Sequence, residues 1–119
     1  MAIRDGAWGR HHAEAIEHTS GAQLRAVAVP SEASRDDARA AHASAFITPD
    51  YRELLLRDDL DVLDVLDIVV PTHLHREIAL AALRARKHVL LEKPMGLTLE
   101  ECSTSRAAAR ETRGRELRD

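Results

Sequence analysis

Apolar positions in this chain come in short unbroken runs, and between the runs they recur every three or four residues. Trp8, His12, Ala15, Ile16 and Thr19 share one side of a 3.6-residue period, and Gly21 follows as a stop, which predicts a first helix over 8–19. AQLRAVAV (22–29), closed by Pro30, is too short and too Val-rich for a helix and predicts a buried strand. The polar, Ala-rich segment 34–43 predicts a helix, and SAFIT (44–48) a brief strand. Thr48 then caps a helix that has Pro49 at its first position and runs to about Arg57.

VLDVLDIVV (62–70) is the clearest strand, ending before Pro71. Leu74, Ile78, Ala81, Ala82 and Ala85 follow at helical spacing, and HVLL (88–91) predicts a fifth strand. In TLEE (98–101), Thr98 and Glu101 form a capping box that opens a last helix, ending near Thr112 ahead of a charged tail at 114–119. Strands that alternate with helices across short connections build right-handed βαβ units, so the expected fold class is α/β, with a parallel sheet covered on both faces.

At 119 residues the chain suits one domain with one core. Its aromatic residues are only Trp8, Phe46 and Tyr51, so that core rests on aliphatic side chains. A formal net charge of −3 gives no support to nucleic-acid binding. Cys102 is the only cysteine, which rules out an intrachain disulfide and a Cys-rich zinc site and fits a reducing compartment. No apolar run has the length of a membrane span or of a signal peptide, so the expectation is a cytoplasmic protein that does not enter membranes. His11 with His12 and His73 with His75 lack a carboxylate or cysteine at a recognisable ligand spacing, so no metal is expected.

Four motifs occur in a telling order: GAWGRHH near the start, LRAVAVPS after the first helix, DVLDIVVPTHLH in the middle, then KHVLLEKPMGLTLEE. Together they resemble the Gfo/Idh/MocA family of NAD(P)-dependent oxidoreductases, from about Ile3 to Arg113. That resemblance implies a Rossmann-like doubly wound sheet over 1–113 and a bound nicotinamide dinucleotide. It also implies hydride transfer to or from a sugar, cyclitol or similar hydroxyl or carbonyl compound. Members of the family carry a larger second α/β domain, which supplies much of the substrate site and its acid/base group; the sequence stops before the corresponding segment.

The resemblance places Gly6, Ala7, Trp8 and Gly9 in the phosphate-binding turn, where Gly6 and Gly9 match the second and third glycines of G-x-G-x-x-G. Arg4 stands at the first glycine, where its side chain obstructs the turn or, alternatively, offers a guanidinium to phosphate. The central first strand is cut to Met1, Ala2 and Ile3, an arrangement expected to leave the second and fourth strands without a shared neighbour and the sheet marginally stable or prone to self-association. Val29 stands where an acidic residue normally binds the adenosine ribose. Ser31 and Arg35 just beyond it suit the 2′-phosphate of NADP, tilting the expectation from NAD toward NADP; the other reading is a helix cap and a solvated charge.

By the same resemblance Pro71, Thr72 and His75 lie along the nicotinamide half of the cofactor. Glu92, Lys93 and Pro94 form the E-K-P signature, with Lys93 as the catalytic candidate beside the reacting carbon. A different class of function is a noncatalytic nucleotide-binding or interaction module that pairs with a copy of itself or with a complementing chain, or an inactive remnant.

Overall fold

A computed structural model describes residues 2–4, 6–57 and 65–113. The expected tail at 114–119 and the first residues of the 62–70 strand lie outside the described residues. In chain order the elements are β1 (Ala2–Arg4), α1 (Gly6–Glu17), β2 (Ala26–Ala28), α2 (Glu32–Ala41), β3 (Phe46–Thr48), α3 (Tyr51–Leu55), β4 (Val65–Val69), α4 (His75–Arg84), β5 (His88–Leu91) and α5 (Leu99–Arg113). A 3₁₀ turn at Thr72–Leu74 joins β4 to α4.

All strand pairs are parallel, in the order β3-β2-β1-β4-β5. The first strand is short, as the sequence implies, but the gap expected between the second and fourth strands does not exist. Ala2 pairs with both Val27 and Asp67, Ile3 with both Ala28 and Ile68, and Arg4 with Val69. Ladder bonds need one backbone residue per rung rather than a long apolar run, so three residues join the two halves of the sheet. Arg4 is therefore the last residue of the strand.

Side chains alternate between the two faces, as the pleat requires. Ala26, Ala28, Leu66 and Ile68 face a cluster with Leu54, Ile78, Ala79 and Ala82 from α3 and α4. Ala2, Val27 and Val29 face the other way, onto Ala13 of α1, Leu24 and Ala38 of α2. Both faces of the central strands are thus covered, the doubly wound Rossmann-like arrangement expected from the alternation of strands and helices.

Two local expectations change. Thr48 is not the cap of the third helix: its carbonyl accepts from Val29 N at 2.8 Å, which keeps it in the sheet, and its hydroxyl donates to Glu53 Oε2 at 2.7 Å. Asp50 is the cap instead, its carboxylate accepting from Arg52 N at 2.9 Å, and Pro49 precedes it. The capping box of α5 is offset by one residue on its return bond. Thr98 Oγ1 accepts from Glu101 N at 3.2 Å, while Glu101 Oε2 accepts from Leu97 N at 2.7 Å rather than from the amide of Thr98.

Candidate dinucleotide and nicotinamide site

The carboxyl ends of parallel strands, where β1 and β4 diverge, form the crevice in which doubly wound sheets hold ligands. Two clefts along that edge are lined by described residues. One, of about 340 Å³, is lined by Gly6 and Trp8 at the start of α1, Val69, Val70 and Pro71 at the end of β4, and Glu92 and Lys93 after β5. The other, of about 300 Å³ and more apolar, lies between the ends of β2, β3 and β4 and includes Ala28, Pro30, Tyr51, Arg52, Leu74 and Ile78.

Gly6 begins α1 with φ +69°, a conformation that disfavours every residue with a Cβ, and among the described residues no heavy atom beyond its chain neighbours and its own helix backbone lies within 4 Å of where a Cβ would sit. The first turn of α1 has no acidic residue. A helix start, with unsatisfied amides and the positive end of the dipole, fits a pyrophosphate, and this first turn sets no carboxylate of its own against one. Ala7 and Trp8 are exposed in that turn, and Gly9 is buried in the helix.

Of the residues singled out by the sequence, the first cleft brings together Gly6, Trp8, Pro71, Glu92 and Lys93. Lys93 is exposed at the cleft and joined to Pro94 by a cis peptide bond. Thr72 is half-buried in the 3₁₀ turn beside the cleft. His75 is not on the cleft surface. It is 1% exposed, with Nε2 2.8 Å from the Val70 carbonyl and Nδ1 2.8 Å from the Pro94 carbonyl. Seated between two carbonyls, the His75 ring ties the end of β4 to the E-K-P turn from behind.

At the far end of the edge, Ser31 Oγ caps α2 by accepting from Ser34 N at 3.4 Å. Arg35 donates from Nη1 to the Val29 carbonyl at 3.1 Å and to the Pro30 carbonyl.

Two residues of the site went unread as such in the sequence. Tyr51 lines the second cleft, its hydroxyl donating to Glu77 Oε1 at 2.9 Å; burial first, and then Glu77, raise its pKa above the ordinary 10.0. Asp67, an acid in the middle of an apolar strand, is 3% exposed and meets His12 Nδ1 through Oδ2 at 2.9 Å. A carboxylate in such a run signals a partner elsewhere in the chain, because an unpaired buried charge is prohibitively costly. Among the described residues no group of three or more His, Cys, Asp or Glu side chains is arranged to hold a metal ion, and no helix is long and apolar enough to cross a membrane.

The family model described as "Oxidoreductase family, NAD-binding Rossmann fold", GFO_IDH_MocA, matches residues 5–117. The chain belongs to the Gfo/Idh/MocA oxidoreductase family. It is 33% identical over 109 residues to the uncharacterized oxidoreductase YrbE of Bacillus subtilis, a match that covers 91% of this chain and 31% of that protein. A shorter match, 50% identical over 54 residues, covers 45% of the chain and 13% of levoglucosan dehydrogenase from Pseudarthrobacter phenanthrenivorans. Among solved structures of this family, scyllo-inositol dehydrogenase from Lactobacillus casei with bound NAD(H) and scyllo-inositol superposes with a TM-score of 0.83 at 26% identity, over 95% of this chain and 33% of that one. Biliverdin reductase from Synechocystis sp. PCC 6803, in complex with biliverdin and NADP+, gives 0.84 at 27% identity, over 93% and 34%. The chain thus spans about a third of the length of these structural neighbours.

Proposed function

We propose that this chain is the cofactor half of an oxidoreductase that moves a hydride between NAD(P) and a hydroxyl or carbonyl carbon of a sugar, cyclitol or similar small molecule. The observation that carries this reading is the first cleft, where the start of α1 and Lys93 face the same space. Gly6, Ala7 and the α1 amides would hold the pyrophosphate, with Trp8 beside it and Gly9 letting the helix approach the sheet. Pro71, Thr72, Glu92 and Lys93 would line the nicotinamide end. The apolar cleft around Tyr51 and Leu74 has the character of an adenine pocket. The polyol class is supported by the inositol and levoglucosan dehydrogenases among the relatives.

A bound nicotinamide supplies the hydride acceptor or donor. The protein's part is orientation and charge: the Lys93 ammonium donates a hydrogen bond to the substrate oxygen and stabilises negative charge developing there. NADP is favoured over NAD because Val29 offers the ribose no acceptor, while Ser31 and Arg35 stand at the end of β2. Among the described residues both side-chain bonds of Arg35 use Nη1, which leaves Nη2 to donate to a 2′-phosphate. The single cysteine fits a reducing, cytoplasmic setting.

Titration of the 119-residue chain with NADH and NADPH tests this, with nicotinamide fluorescence and thermal stability followed together. Saturable binding that raises the melting temperature, tighter for NADPH, is expected. A folded sample that binds neither refutes the reading.

A second reading rests on a separate observation. Val65 and Leu90, both on the α1 side of the sheet, are 48% and 56% exposed, so apolar surface is open to solvent at the β4–β5 end of that face. A noncatalytic module that pairs with another chain through this face would leave it so. Light scattering that finds only monomer, together with failure to associate with a coexpressed substrate-domain chain, would remove that reading.

A further inference from the structure

Glu92 touches the cleft, yet both of its carboxylate oxygens are already engaged. Oε1 lies 3.3 Å from His12 Nε2, and Oε2 accepts from the backbone amide of Lys93 at 3.3 Å. The other nitrogen of His12, Nδ1, meets Asp67 Oδ2 at 2.9 Å. A continuous polar chain therefore runs from the buried strand β4, through the helix α1, to the backbone of Lys93.

Its anchoring is one-sided. Asp67 is 5% exposed at its side chain and is held by the β4 ladder, whereas Glu92 is 25% exposed in the turn after β5. Strand alternation fixes the direction: Leu66 and Ile68 take the α3–α4 face, which sends Asp67 to the α1 side. On α1, His12 follows Gly9 by one helical step and neighbours Ala13, both buried, so its ring points toward the sheet. Among the described residues Asp67 Oδ1 has no hydrogen-bond partner, and Oδ2 of this buried carboxylate meets His12. Both partners of the ring are carboxylate oxygens, one on each ring nitrogen.

We propose that Asp67 and His12 are positioning residues for Lys93: they hold the Glu92 carboxylate, which in turn fixes the Lys93 amide and the exit of its side chain into the cleft. This rests on the dinucleotide reading of the site and deepens it. A pair that merely filled the interface between α1 and the sheet would end at Asp67 and His12. This one continues across a third element to the residue preceding the candidate lysine.

The test separates the nicotinamide end from the rest of the ligand. NADH and ADP-ribose are titrated into the wild-type chain and into Asp67→Asn, His12→Gln and Glu92→Gln. ADP-ribose lacks the nicotinamide, so its affinity reports on the fold and on the adenosine and pyrophosphate sites. The proposal expects each variant to keep its ADP-ribose affinity and to lose about tenfold in NADH affinity relative to it, within the range for coupled side chains. Asp67→Asn and Glu92→Gln do not touch each other, yet their effects should be non-additive because both act through His12. An unchanged NADH to ADP-ribose ratio, or strict additivity, overturns the assignment. Failure of the dinucleotide reading looks different: the wild-type chain then binds neither ligand. In that event the amide resonance of Lys93 decides, since Asp67→Asn must move it, and an unmoved resonance overturns the proposal.

Discussion

The ends of β2 and β5 lie on the same edge of one sheet, and they are held in opposite ways. At the end of β2 the side-chain bonds of Ser31 and Arg35 are local: Ser31 caps the helix that follows it, and Arg35 bonds the carbonyls of Val29 and Pro30. At the end of β5 the turn is gripped from distant parts of the chain, Glu92 by His12 of α1 and Pro94 by His75 of α4. The contrast fits the proposed roles of the two ends. A phosphate or ribose can be met by flexible polar side chains at the surface, whereas an amine proposed to act beside a reacting carbon would have to be held in place, as packed elements do.

Four substitutions or titrations would break or sharpen this contrast. The largest effect is expected for His75→Ala, which removes the buried ring that joins the Val70 and Pro94 carbonyls; urea unfolding should show a loss of about 3 kcal/mol. Gly6→Ala forces a Cβ onto a positive-φ residue and should cost about 1–2 kcal/mol by the same measurement, while the open space beside it predicts no steric clash. Arg35→Ala should cost no more than about 1 kcal/mol, because the carbonyls it bonds lie near the surface, and should narrow the difference between NADPH and NADH in a binding titration.

The smallest effect concerns Tyr51. Its pKa is raised in the folded protein by burial and by Glu77, so the protonated hydroxyl favours the fold. That contribution is complete below the unfolded value of 10.0 and is lost as pH rises through the higher folded value. Unfolding curves across that window should fall more steeply for wild type than for Tyr51→Phe.

The same contrast explains what could be read in the sequence. The β2 end was legible because caps and short-range bonds are written in neighbouring residues: Ser31 ahead of a polar helix is such a signal. The order of strands and helices was legible for a related reason, since apolar period reports burial directly. The β5 end was legible only as a motif. Nothing near Glu92 says that His12 reaches it, and His75, whose place beside a cofactor the motif implied, spends both ring nitrogens on the backbone. The first strand shows the converse limit. Three residues looked too few for a central strand, but register, which depends on partners elsewhere, lets Ala2, Ile3 and Arg4 serve both neighbours.

The shift of backbone amide resonances on adding NADPH to the isotope-labelled chain tests most directly that a nicotinamide dinucleotide lies along this edge. Gly6, Trp8, Thr72, Glu92 and Lys93 should move together and saturate together, with Tyr51 following at the adenosine end. Shifts confined to other surfaces, such as the exposed apolar side chains of Val65 and Leu90, or no saturable shifts in a folded sample, would contradict it.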